Sequence, residues 1–205
     1  MLLVPLLLSL SVHEFAHAWS AFRLGDDTAA RMGRLTLNPI AHADLVGTVL
    51  LPLLGIPFGW AKPVPVNPAR FRRGVRMSTG MMLTASAGPI ANVILAVLST
   101  VALGLLYRFS PDLVTGRGAL RVLLVVVIQM NVGLAVFNLL PLPPLDGSRI
   151  VDAFVPLRLR PAWETFSRFA PFLLLLVFFG ASYILSAPID AANRLLLRLL
   201  QAVAT

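Results

Sequence analysis

Cysteine is absent from this 205-residue chain, and Asp and Glu together number only nine. Without cysteine there is no disulfide scaffold, no thiolate nucleophile and no thiolate metal ligand. Charged residues of both signs make up 13% of the chain, against about 25% in ordinary soluble domains, while 58% of residues are hydrophobic. Too little polar material remains to cover a water-facing surface, so a soluble enzyme is disfavoured. The same apolar fraction excludes disorder. The 17 Lys and Arg leave a net charge of +8. In so apolar a chain that excess reads as basic loops between membrane spans and not as nucleic-acid binding.

What the chain has in quantity is apolar runs. Residues 1–22 are apolar as far as Val12 and then carry His13, Glu14 and His17. Residues 81–107, 120–140 and 169–187 form three more runs, each near the ~20 residues that a spanning helix needs. Residues 45–58 are too few for a span and are broken by Pro52, Gly55 and Pro57, which predicts a re-entrant segment. In residues 59–68, Val64 and Val66 alternate with prolines, which predicts a short extended edge segment. Residues 69–76 hold four arginines and are expected at the cytoplasmic lipid surface. Asp190, Arg194 and Arg198 lie four apart and line one polar stripe of a C-terminal helix, as in an interfacial helix, although crossing or lying on the membrane stays open. The expected fold class is an all-α polytopic membrane protein with about four full transmembrane helices, a re-entrant segment and a short extended edge segment. Residues 1–205 are expected to form a single domain. The apolar start ending in Ala16-His17-Ala18 mimics a secretory signal but lacks the positively charged beginning of one.

His13-Glu14-Phe15-Ala16-His17 is an HExxH pattern. On a helix, residues four apart share a face, so both imidazoles can reach one metal ion. Glu14 points beside that face, where it can take a proton from a metal-bound water; zinc suits two neutral imidazoles. Ionisable side chains inside an apolar helix are costly, which favours function over chance. A catalytic zinc usually takes a third protein ligand, and Asp146, Asp44 and His42 are the candidates. Asp146 follows Pro141, Pro143 and Pro144, which break the fourth run and free backbone carbonyls that need a polar, protein-lined cavity. Read alone, Asp146-Gly147 is a turn; read with HExxH, it is a ligand candidate. His42 and Asp44 are expected to cap or hydrogen-bond locally ahead of any metal role. Asn92 and Asn131 are expected to bridge helices, residues 85–88 to permit close helix approach, and Trp19, Trp60 and Trp163 to form an interfacial belt.

HEFAH, GWAKPVPVNP, Ala87-Gly88-Pro89 with Asn92, and NLLPLPPLDG occur in this order over residues 9–150. In these motifs the chain resembles the site-2 proteases, intramembrane zinc metalloproteases, and among them the compact prokaryotic type without PDZ or CBS domains. The resemblance implies one zinc per chain held by His13, His17 and Asp146, with Glu14 as catalytic base. It also puts Asn138 beside the site, holding substrate backbone or a developing oxyanion. Only twelve residues precede His13, fewer than in many members, so a truncated start stays open. The implied activity is hydrolysis of peptide bonds in or near transmembrane segments, with transmembrane proteins as substrates and the bilayer as the other partner. The rivals are a metal-dependent transporter or channel, which gives no reason for a base at Glu14, and a catalytically inactive regulatory relative. Oligomeric state, substrate identity and the need for a prior cut are not encoded in any motif.

Topology follows from the ends of the runs. His17 lies late in the first run and Asp146 just after the fourth, so the two meet only if both helices run in the same direction. That requires residues 45–58 to turn back without crossing. The basic residues agree: residues 23–78 carry eight and residues 147–168 carry four, so twelve of the seventeen share one side. The positive-inside rule makes that side cytoplasmic, which implies a prokaryotic inner-membrane protein with its site toward the cytoplasm.

Overall fold

The computed structural model describes residues 3–54, 59–115 and 118–205. Among the described residues all regular elements are helical and no strand occurs. α1 covers Leu3–Arg23 and is followed by the short helices α2 (Thr28–Arg31) and α3 (Pro39–His42). A π-helical stretch, Leu45–Leu50, leads into α4 (Leu51–Leu53). Then come α5 (Met77–Phe109), α6 (Ala119–Asn138), α7 (Asp146–Asp152), α8 (Arg160–Ile184) and α9 (Ser186–Ala204). Helices α5 and α8 start earlier than the apolar runs at 81 and 169. Helical hydrogen bonding continues through residues that the run of hydrophobicity does not mark.

α5 is the central post, with α1, α6, α7 and α9 packed on it. It and α6 are long and apolar enough to cross a membrane. Burial along α5 is inverted relative to a helix of a water-soluble protein. Its buried face carries Thr84, Gly88, Asn92, Ala96, Ser99 and Thr100, whereas Ile90, Val93, Ile94 and Leu98 are at least half exposed. Small and polar side chains let helix backbones approach and hydrogen-bond, and hydrocarbon can solvate the aliphatic face. Near the far end of α5, Gly104 meets Val203 and Leu200 of α9, while Asp190, Arg194 and Arg198 of α9 stay exposed.

Residues 59–67 do not form the paired edge that an extended segment suggests. Pro63 and Pro65 have no N–H to give a ladder, and several of the other groups are bonded one at a time to different elements. The Lys62 N–H donates to the His42 carbonyl at 2.9 Å, and Arg34 Nη2 donates to the Lys62 carbonyl at 2.5 Å. Thr48 Oγ1 donates to the Trp60 carbonyl at 2.7 Å, and the Asn67 N–H donates to Asp26 Oδ2 at 2.6 Å. The segment is a strap tied to α3, the π-helical stretch and the loop after α1, and through the Val64 N–H to Glu14 of α1 itself. Beside it, Asp27 pairs with Arg31 and Arg70, and the Arg31 guanidinium holds the Asp27 carboxyl below the usual carboxylate range. Of the expected re-entrant segment, residues 45–54 form the π-helical stretch, α4 and a turn, and residues 55–58 lie outside the described residues.

Candidate metal centre

Two rows of residues, each at i, i+4 and i+8, face each other across α1 and α5. Ser9, His13 and His17 ascend α1 while Asn92, Gly88 and Thr84 descend α5, so the helices are antiparallel in this register. Asn92 Nδ2 donates to the Ser9 carbonyl at 3.4 Å, and His13 Nδ1 meets Asn92 Oδ1 at 2.5 Å. His17 Nδ1 meets the Thr84 carbonyl at 2.7 Å. Gly88 sits between the imidazoles: a Cβ there would collide with His17 Nε2 and lie 2.6 Å from His13 Cε1. The missing side chain is the space that the two rings occupy.

Asp146, the first residue of α7, comes to the same point. Its Oδ2 is 3.2 Å from His13 Nε2 and 3.3 Å from His17 Nε2, and the two Nε2 atoms are 3.0 Å apart. All three side chains are buried. α7 reaches this position because Gly147 lets its first turn rest on the end of α6, where a Cβ would collide with the Leu139 and Leu140 carbonyls. The aspartate-glycine pair is thus a helix start pressed against the preceding helix end, and not a free turn.

The donor chemistry fits a cation. The partners of both Nδ1 atoms are oxygens that only accept, so the ring hydrogens sit on Nδ1. Both Nε2 atoms then present lone pairs toward each other and toward a carboxylate oxygen. Asp146 Oδ2 is buried with no hydrogen-bond donor of its own. Three electron-pair donors in mutual contact repel unless a cation lies between them. Ligand atoms around a tetrahedral zinc at ~2.0–2.1 Å stand about 3.3 Å apart, close to the separations found here.

Glu14 is buried but outside this triangle. Its Oε2 accepts the Val64 N–H of the strap at 2.9 Å, which holds the carboxylate of the residue next in sequence to His13. Asn138 is not drawn into the cluster by its hydrogen bond: at the end of α6 its Nδ2 donates back to the Leu134 carbonyl at 3.0 Å. His42 and Asp44 act locally. His42 Nε2 bonds the Thr36 carbonyl at 2.7 Å, and Asp44 Oδ1 caps the π-helical stretch by accepting from Val46 and Gly47 N–H. Asn92 does more than bridge helices, because it holds a candidate ligand. Its sequence signals were an amide one turn from Gly88 in an apolar run and its place with Ala87-Gly88-Pro89 among the motifs that carry the family resemblance. The Thr84 carbonyl and Val64 N–H are main-chain groups and left none.

The sequence model of peptidase family M50 matches residues 112–179. "Putative zinc metalloprotease YwhC" of Bacillus subtilis is 40% identical over 205 residues, covering 98% of this chain and 91% of that protein. "Putative zinc metalloprotease Rip2" of Mycobacterium tuberculosis is 32% identical over 179 residues, covering 87% of this chain and 66% of that protein. No solved structure matches the chain. With a metalloprotease relative aligned along almost its whole length, the chain belongs to peptidase family M50, the site-2 proteases.

Proposed function

We propose that the protein is a zinc endopeptidase that cleaves membrane proteins in or near their transmembrane segments. The observation that carries this reading is the buried meeting of His13, His17 and Asp146, with Glu14, next to His13 in the chain, itself buried and held by the Val64 N–H. His13 and His17 Nε2 and the Asp146 carboxylate would hold the zinc. Bound there, zinc would polarise a peptide carbonyl and make water acidic enough to attack it near neutral pH. Glu14 takes the proton of the attacking water on its free carboxylate oxygen, while Oε2 stays on the Val64 N–H. It then gives that proton to the leaving amine. Asn138 is assigned to the substrate backbone or the developing oxyanion, through the amide N–H that it does not give to the Leu134 carbonyl. The strap excludes bulk water on the Glu14 side.

The proposed topology has four full spans and a re-entrant segment at 45–58. The register of α1 against α5 supports it. α1 runs antiparallel to α5, ending six residues past His17, and α5 begins seven residues before Thr84, which faces His17, so residues 24–76 leave and return on one side. Together with the twelve basic residues assigned to that side, this favours a site open to the cytoplasm of a prokaryotic inner membrane.

The test is purification with zinc analysis and cleavage of a single-span substrate found by comparing membrane proteomes of cells with wild-type and Glu14→Gln enzyme. Wild type is expected to hold one zinc and His17→Ala none. Glu14→Gln should keep its zinc and lose about 10²- to 10⁴-fold in rate. Robust cleavage by Glu14→Gln would defeat the assigned role of Glu14, and a zinc-free wild type would defeat the reading as a whole.

A further inference from the structure

The hydrogen bond that orients His13 continues into the middle of the molecule. Asn92 Nδ2 donates to Asn131 Oδ1 at 2.6 Å, and Asn131 Nδ2 donates to the Val127 carbonyl and to Ser9 Oγ, both at 2.8 Å. Ser9 Oγ in turn donates to the Pro5 carbonyl at 2.7 Å. Ser9, Asn92 and Asn131 are fully buried and lie on three different helices.

The direction of this chain is set at its far end. The Val127 carbonyl can only accept, so it fixes the Asn131 amide with nitrogen toward itself and oxygen toward Asn92. That oxygen can only accept, so it fixes the Asn92 amide with nitrogen toward Asn131 and oxygen toward His13. The oxygen in turn requires hydrogen on His13 Nδ1 and leaves the Nε2 lone pair aimed at Asp146 and His17. Without Asn131, the Asn92 nitrogen keeps only the long Ser9 contact, and its amide can turn over. His13 would then face a donor, shift its hydrogen to Nε2 and cease to be a ligand.

We infer that Asn131, with Ser9, is a positioning residue that acts through Asn92 to hold His13 in its metal-binding tautomer. The inference rests on the zinc reading above. Partners that orient a ligating histidine are typically worth about 10–100-fold in metal affinity.

The test measures the zinc dissociation constant of the full-length protein in detergent and the visible spectrum of the cobalt-substituted form, for wild type, Asn131→Leu, Asn92→Leu and Ser9→Ala. Apo-protein melting is followed alongside. Asn131→Leu and Asn92→Leu are each expected to weaken zinc by about 10–100-fold and to reduce the tetrahedral cobalt bands. Ser9→Ala should fall between them and wild type. If Asn131→Leu melts lower yet binds zinc as tightly as wild type with the same cobalt spectrum, the residue is structural and the inference fails. Should Asn131→Leu not fold, an unchanged affinity in Ser9→Ala overturns it. If wild type itself binds no zinc, the zinc reading fails instead.

Discussion

Glu14 and His13 are neighbours in the chain, yet the structure gives them different partners. The helix turns His13 toward α5, where Asn92 receives its Nδ1–H, and turns Glu14 toward the strap, where Val64 supplies a main-chain N–H. HExxH spacing shows that the two histidines share a face and that the glutamate stands beside it. It cannot show what that glutamate touches, because the partner is a backbone group fifty residues away. Removing that group tests its worth. Val64→Pro deletes the N–H in a segment already shaped by prolines. It is expected to leave zinc content unchanged and to lower the turnover number by about tenfold, in line with one lost charge-assisted hydrogen bond of ~1.5 kcal/mol or more. Unchanged turnover in steady-state kinetics would show that Glu14 needs no fixing from the strap.

The antiparallel register of α1 and α5 brings two rows of residues together, and Gly88 lies against both imidazoles. Its lack of a side chain makes room for both imidazoles. Gly88→Ala is expected to push His17 off the common point and to cost about 1–3 kcal/mol through overpacking. The check is zinc content together with thermal melting: both should drop, and a Gly88→Ala protein with full zinc would refute the packing argument. The sequence marked residues 85–88 as a small-residue patch but not what it accommodates. Helices α1, α5 and α6 were each legible as apolar runs, since length and hydropathy mark them. Their mutual register was not, because it depends on which polar residues meet across the helices. The strap was legible as extended and non-helical. It stops short of a strand because its prolines remove donors and its neighbours take several of the other groups singly.

Along α5 the larger aliphatic residues Ile90, Val93, Ile94 and Leu98 face outward, while amides, hydroxyls and imidazoles are buried between α1, α5 and α6. That inversion places a chain so poor in charge in hydrocarbon, and the register of its helices carries an orientation. Because native cysteine is absent, single cysteines can report that orientation without further changes. A membrane-impermeant maleimide is expected to label Asp112→Cys, in the turn between α5 and α6, on intact bacterial cells stripped of their outer barrier. Arg73→Cys should be labelled only after the inner membrane is opened. The reverse pattern would place the ligands on the outer face and overturn the cytoplasmic assignment.

Composition alone required apolar surroundings, since thirteen charged residues per hundred cannot cover a water-facing surface. The HExxH spacing alone required two imidazoles on one helix face, since an α-helix repeats every 3.6 residues. Neither could bring Asp146 to that face, aim the Asn92 amide or set Val64 against Glu14. Those contacts join residues 50 to 133 positions apart. The meeting of Asp146 with the imidazoles depends on glycines: Gly88 leaves room for both rings, and Gly147 lets the start of α7 rest on the Leu139 and Leu140 carbonyls, which no local pattern records.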